Sequence, residues 1–185
     1  MNHKVIDDGA KRMSKQVDFF RKEMATIRAG RANPALVSDL SVDYYGSPTP
    51  LKQIASIGAP EARLLVIEPW DKNAMGDIEK AIMRSDLGIM PANDGNVIRL
   101  AIPQLTEERR RELVQLANKK AEESRVAIRN IRRDVNDEIK KLEKDGGISE
   151  DEARRLLDRS QEITDEHISL IDQIMEEKES EIMEV

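Results

Sequence analysis

The chemistry that this sequence offers most plainly is that of cations gathered along one stretch of chain. Between Arg109 and Arg133 there are nine lysines and arginines against three glutamates, a local charge of +6 in a chain whose net charge is −6. A guanidinium is always charged at neutral pH and donates paired, planar hydrogen bonds, which suits it to phosphate groups. The acidic total does not oppose this, because charges more than about 8 Å away are largely screened.

Some of these cations share one side of a helix. At about 100° per residue, four arginines fall within a sector of roughly 60°. We call this set the arginine face: Arg111, Arg125, Arg129 and Arg132. It lies about 100° from the apolar stripe of the same helix, so we expect it to face solvent. Few anions are expected near Arg129 and Arg132, whereas Arg133 has Asp137 as an i,i+4 partner.

A long helix must position this face. Apolar residues recur every three or four positions from Thr106 to about Lys144, a run without proline or glycine. This periodicity predicts one continuous helix whose apolar stripe packs on neighbouring helices. The stripe consists of Leu113, Ala117, Ala121, Ile128, Ile131, Val135, Ile139 and Leu142.

Two further helices provide those neighbours. Residues 3 to about 28 have the same periodicity and end at Ala29-Gly30, where glycine can adopt the left-handed cap conformation. After a tight reversal, Ser149 and Glu152 form a capping box for a last helix that runs to about Met183. Short turns make successive helices antiparallel, so the three predict an elongated antiparallel bundle.

The chain between the first and second bundle helices has a different texture. Strand-like runs lie at residues 40–45, 54–57, 63–68 and 96–102, residues 46–50 read as a turn with two prolines, and Asp71 caps a helix over 72–84. This predicts a small inserted α+β domain, with Tyr44, Tyr45 and Trp70 packing in its core or hinge. We assign residues 1–30 and 105–185 to the bundle and 31–104 to the insert.

Two connections join these domains, one at residues 29–33 and one at 103–106. Both are short and lie beside glycine or proline, which favours a hinge over a loose linker. The expected hinge residues are Ala29, Gly30, Arg31, Pro103, Gln104 and Leu105.

Several kinds of function are disfavoured by what the sequence lacks. With no cysteine there is neither a disulfide framework nor a thiolate zinc site. His3 and His167 are far apart, and we find no glycine-rich phosphate loop and no catalytic constellation. No apolar run approaches the ~20 residues that span a membrane. We therefore expect a cytoplasmic protein that is not an enzyme and has neither catalytic nor metal-binding residues.

Five segments, in order along the whole chain, resemble the bacterial ribosome recycling factor family. They are Ile27–Pro34, Tyr44–Leu51, Leu105–Arg110, Ile128–Asp134 and Ile148–Glu152. The resemblance implies an α+β, two-domain, L-shaped molecule with a three-helix bundle and a small inserted α/β sandwich. It also implies a monomeric translation factor without a cofactor of its own. With elongation factor G and GTP, such a factor would disassemble the post-termination ribosome into subunits.

The resemblance further implies which residues contact large-subunit ribosomal RNA. Arg132 is the central contact, with Arg129 and Arg133 in the same motif. Arg28, Arg31 and Arg110 come from matched motifs near the hinge end of the bundle, and Arg125 is added from helical phase alone. Scarce aromatics favour recognition of RNA shape and backbone over base stacking. Two alternatives remain: a solvated, ion-paired surface, or a helical adaptor for another protein.

Overall fold

The computed structural model describes residues 3–184 and divides the chain into two compact units. The helical unit comprises the residues up to Ala29 together with those from Glu107 onward, and the small unit comprises Gly30–Thr106. In chain order the elements are α1 (Lys4–Thr26), β1 (Ser41–Tyr44), β2 (Ser47–Pro50), β3 (Ala55–Glu61), β4 (Leu64–Pro69), α2 (Met75–Arg84), β5 (Ala92–Asn93), β6 (Ile98–Ala101), α3 (Glu107–Lys144) and α4 (Glu150–Met183). The predicted α+β fold class is confirmed.

Each helix of the helical unit packs against the other two. Ion pairs from Arg12 to Asp134 and from Glu23 to Lys120 show that α1 and α3 run antiparallel. The predicted extent of α3 is confirmed, because nothing within it interrupts the backbone hydrogen bonds. Ile131 and Leu142 of its stripe are only partly buried, and Ser124 is buried in the same face, where its Oγ accepts a hydrogen bond from Gln16.

The first helix ends earlier than the sequence suggested. Ile27 is already extended, while the Thr26 hydroxyl donates to the Glu23 carbonyl and the Ile27 amide donates to the Met24 carbonyl. These local bonds occupy carbonyl groups that a further helical turn would need. Gly30 does have a positive φ of 74°, but it belongs to the connection beyond the helix and is not the helix cap.

The reversal between α3 and α4 has the predicted chemistry. Gly146 has a φ of 75°, and its amide donates to the Glu143 carbonyl to close the end of α3. Ser149 Oγ then accepts a hydrogen bond from the Glu152 amide at 3.2 Å, which satisfies one of the free donors at the start of α4. The turn thereby returns α4 along α3.

The small unit is built on a four-stranded antiparallel sheet in the order β3-β4-β6-β5. A separate hairpin, β1-β2, and helix α2 complete it. Alternate residues of β4 and β6 face a common apolar core together with residues of α2 and the hairpin. This core includes Val42, Leu51, Leu65, Ile67, Ile78, Ile82, Ile98 and Leu100.

Two expectations for the small unit are wrong. The proline-rich residues 47–50 form β2, not a turn; both prolines are tolerated because a two-stranded sheet is all edge. Tyr45 and Trp70 are not core residues, since 74% and 68% of their surface is exposed. Tyr45 lies at the hairpin tip with a φ of 50°, in the left-handed region, and its exposed hydroxyl donates to Asp71 Oδ2 at 2.6 Å.

Candidate nucleic-acid interface

Arg125, a member of the arginine face, is largely enclosed by its neighbours. Its Nε and Nη2 lie 2.8 and 2.7 Å from Asp172 Oδ1 on α4, and its Nη1 lies 3.2 Å from Glu122. Only 21% of its side chain is exposed. The expectation that Arg125 faces solvent is therefore wrong: because α4 packs beside this face, its carboxylates reach the guanidinium.

Arg129 and Arg111 are also paired with carboxylates. Arg129 Nη1 lies 3.1 Å from Glu122, the carboxylate that Arg125 also contacts, and Arg111 bonds to Glu107. Hydrogen bonds from Arg125 and, to a smaller extent, from Arg129 hold the pKa of Glu122 below its ordinary value. The expectation of few anions near Arg129 is wrong, because Glu122 lies seven residues away, two turns along the same side.

Arg132 has a different kind of partner. Its Nη1 donates a 2.8 Å hydrogen bond to Gln161 Oε1 on α4, and the Gln161 amide donates in turn to Asp165. Within residues 3–184 no carboxylate forms an ion pair with Arg132, and its side chain is half-buried. Gln161 therefore orients the guanidinium while leaving its charge uncompensated.

Arg133 lies one position further round the helix and is exposed. Its Nη1 donates to Asn130 Oδ1 at 3.3 Å, so the predicted i,i+4 partner, Asp137, is not the group it contacts among the described residues. Arg133 and Arg132 are thus adjacent guanidiniums whose polar contacts are neutral amides.

The remaining predicted contacts lie elsewhere. Arg110, near the start of α3, donates to the Met183 carbonyl at the end of α4, and its Nε is buried without an acceptor in the described chain. Arg28 and Arg31 are exposed residues that follow α1. The structure therefore brings together Arg125, Arg129, Arg132 and Arg133 in the middle part of α3 and places Arg110 in the first turn of that helix.

Comparison with known proteins identifies the kind of chain this is. The sequence profile described as Ribosome recycling factor matches residues 20–183. The chain belongs to the ribosome recycling factor family. It is 60% identical to the ribosome-recycling factor of Geobacillus sp. strain WCH70 and 55% identical to that of Bacillus subtilis, each over 185 residues and the full length of both chains. The resemblance inferred from five short motifs is confirmed.

Solved structures of the family agree in fold. A solution structure of the ribosome recycling factor is 47% identical and superposes with a TM-score of 0.78 over 100% of both chains. The Thermus thermophilus factor, described together with Escherichia coli elongation factor G bound to the Escherichia coli post-termination complex, is 49% identical with a TM-score of 0.63 over 97% of both chains.

Other features bear on the class of function. The helices described here include none with enough consecutive apolar residues to cross a bilayer. Among residues 3–184 no three histidine or acidic side chains are grouped closely enough to bind a metal ion.

Four lysines of α1 form a second set of cations, which was not among the predicted site residues. They are Lys4, Lys11, Lys15 and Lys22, and all are exposed. The signal that could have found them is their spacing of seven, four and seven residues, which returns to the same side of a helix each time.

Proposed function

We propose that this chain is a translation factor that, with elongation factor G and GTP, separates the post-termination ribosome into its subunits. Membership of the ribosome recycling factor family over residues 20–183 supports this, as does a relative 49% identical that is described with elongation factor G on the post-termination complex. In this role the protein acts by binding to the ribosome and separating its subunits, and it catalyses no reaction of its own. It takes no cofactor and works in the cytoplasm, where the ribosomes are.

The proposed docking site rests on the contrast between Arg132 and its neighbours. Arg125 and Arg129 already neutralise carboxylates, so a phosphate would have to compete with Asp172 or Glu122 for them. Arg132 bonds only to a neutral amide. Its charge can engage a phosphate without breaking an ion pair, and its orientation is already restricted by Gln161. Such pre-organisation lowers the entropy lost on binding.

The order of importance follows from these contacts. Arg132 is the main contact with large-subunit ribosomal RNA, and exposed Arg133 supports it. Arg129 shares the single carboxylate of Glu122 with Arg125, so part of its charge remains for RNA. Arg125 chiefly joins α3 to α4. Arg28 and Arg31, which follow α1, and Arg110, near the start of α3, are further proposed contacts.

We also propose that the connections at residues 29–33 and 103–106 act as a hinge. Gly30 has a φ of 74°, and a Cβ there would lie 2.9 Å from Leu105 Cγ on the other connection. The two connections are thus in contact at Gly30 and Leu105, where any side chain larger than that of glycine would clash. Spin labels at one introduced cysteine in each unit would report the distance distribution. A broad distribution that narrows on the ribosome is expected, and a single narrow distribution in both states would contradict a hinge.

The test of the proposed function is sedimentation of post-termination ribosomes with this protein, elongation factor G and GTP. Conversion to free subunits that requires all three components is the expected result. Ribosome binding without splitting would refute the recycling role. Weak binding that does not change with salt would favour the helical adaptor, because phosphate contacts lower log affinity by about 0.7–0.9 per log unit of salt each.

A further inference from the structure

The outermost side of α1 consists of lysines. Relative to its buried face, at about 100° per residue, the four residues that project most directly outward are Lys4, Lys11, Lys15 and Lys22. They lie within a sector of about 40°, and at 1.5 Å per residue they span roughly 27 Å. We call this row the lysine stripe. The lysine stripe therefore extends along most of α1.

The charges of the lysine stripe are not used by the fold. Among the described residues none of the four makes a hydrogen bond or ion pair, although Asp8 and Asp18 flank the row. The polar residues on the side of α1 that faces α3 behave differently, since Arg12 lies 2.6 Å from Asp134 and Glu23 lies 2.8 Å from Lys120. The fold thus satisfies cations where helices meet and leaves the stripe free for an external anion.

The stripe and the arginine face lie on opposite sides of the bundle. Each of the three helices packs on the other two, so their cross-section is a triangle. Arg125 and Arg132 lie along the edge where α3 meets α4, as their bonds to Asp172 and Gln161 show. The outward side of α1 points away from that edge. The helical unit therefore presents one basic surface in each of two opposed directions.

We propose that the lysine stripe is a second RNA-binding surface, which contacts the phosphate backbone of a structured RNA segment other than the one at Arg132. Lysines are flexible point charges, so a row of them suits a backbone followed along its length rather than a particular base. This inference rests on the proposed function, which supplies ribosomal RNA as the ligand. With both surfaces engaged, the bundle would lie between two RNA segments.

A membrane surface fits the stripe less well. Helices that bind membranes present apolar residues beside their cations and bury them among the lipids. The apolar side of α1, including Met13, Val17 and Phe20, is instead buried against α3 and α4. The stripe therefore offers charge without an apolar face, which favours a hydrated polyanion.

The test compares ribosome affinity across salt concentrations for three variants. The stripe variant is Lys4→Gln, Lys11→Gln, Lys15→Gln and Lys22→Gln. Its matched control removes four cations from the small unit, Lys52→Gln, Lys72→Gln, Lys80→Gln and Arg84→Gln, and both change the formal net charge from −6 to −10. A third variant replaces the four stripe lysines by arginine and preserves their charge. Circular dichroism checks that each variant is folded.

We expect the stripe variant to bind ribosomes at least tenfold more weakly. The slope of log affinity against log salt concentration should become less steep by about 3, since each of four phosphate contacts contributes about 0.7–0.9 to that slope. The arginine variant and the small-unit control should stay within about threefold of the unmodified chain.

Three results would overturn the lysine stripe as an RNA contact. They are an unchanged salt dependence in the stripe variant, an equal loss in the small-unit control, or a loss of binding to phosphatidylserine vesicles with ribosome binding intact. If Arg132→Ala weakens binding while the stripe variant does not, the stripe alone fails. If the unmodified chain does not bind ribosomes, the proposed function fails and the stripe inference with it.

Discussion

Arg125 on α3 directs Nε and Nη2 at the same oxygen of Asp172 on α4, at 2.8 and 2.7 Å. Arg132, two turns further along α3, reaches α4 only through the neutral amide of Gln161. Two arginines on one helical face thus have different roles, because the residues that α4 places opposite them differ in charge. The first pair joins α3 to α4 through opposite charges, and the second leaves the Arg132 cation without a carboxylate partner among the described residues.

Arg125→Ala should affect stability more than binding. The side chain is largely enclosed and its ion pair joins two helices, so we expect the free energy of unfolding to fall by about 1 kcal/mol after allowance for solvent screening. Ribosome affinity should change less than threefold. Urea unfolding and ribosome binding measure the two quantities. A tenfold loss of affinity with unchanged stability would show that Arg125 is an RNA contact.

Arg132→Ala should give the opposite pattern. Removal of a charge-assisted contact costs about 1.5–3 kcal/mol, which corresponds to a tenfold to hundredfold loss of ribosome affinity. Stability should stay within about 0.5 kcal/mol, because the lost bond is a single half-exposed one. Gln161→Ala is the matched control, since it removes the same hydrogen bond but keeps the cation. Comparable losses for both would mean that the bond, and not the charge, is what matters.

Gly9→Ala should destabilise the bundle. A Cβ at Gly9, within α1, would lie 2.6 Å from Val135 Cγ2 on α3, and overpacking of this kind typically costs 1–3 kcal/mol. This exceeds the gain of about 1 kcal/mol from replacing a helical glycine. Val135→Ala in the same chain should relieve part of the cost, as a double-mutant cycle of unfolding free energies would show.

Gly76→Ala provides the comparison in the small unit. Gly76 is an exposed residue of α2, and a Cβ there would meet no atom within 4 Å. With no clash, the helix-propensity gain should remain, so we expect stabilisation of up to about 1 kcal/mol. Destabilisation at Gly76 would show that backbone conformation rather than packing governs both glycines.

Asp94 should make the small unit sensitive to acid. Hydrogen bonds from the amides of Val97 and Asn96, and then from Arg99, hold the pKa of Asp94 well below its ordinary value. Its contribution to stability is present above the unfolded pKa of about 4 and is lost as pH falls through the lower folded pKa. Asp94→Asn should therefore lower the urea midpoint at pH 7 and reduce its dependence on pH below about 4.

The fluorescence of Trp70 can follow this transition, because it is the sole tryptophan and lies in the small unit. Asp39→Asn is a suitable control, since Asp39 is also an exposed carboxylate paired with a cation, Lys52, but accepts no backbone amide in the described structure. An identical acid dependence for the unmodified chain and Asp94→Asn would contradict the role assigned to Asp94.

Elements with local sequence signals could be predicted from the order of residues alone. The extent of α3 follows from an uninterrupted apolar period, and the start of α4 follows from Ser149, whose Oγ accepts the Glu152 amide as its spacing predicts. The family could also be inferred, because its five motifs are contiguous stretches of chain. Signals of this kind need no knowledge of what packs against them.

The partners of the cations, in contrast, depend on how the helices pack. Helical phase places Arg125, Arg129 and Arg132 together, but it contains no information on which residues of α4 lie opposite, and those residues pair with one arginine and leave another uncompensated. The exposure of Tyr45 and the strand at residues 47–50 likewise depend on the pairing of β2 with β1, which two prolines in β2 conceal in the sequence. Ion pairing and burial are properties of neighbours in space, and the order of residues along the chain does not specify those neighbours.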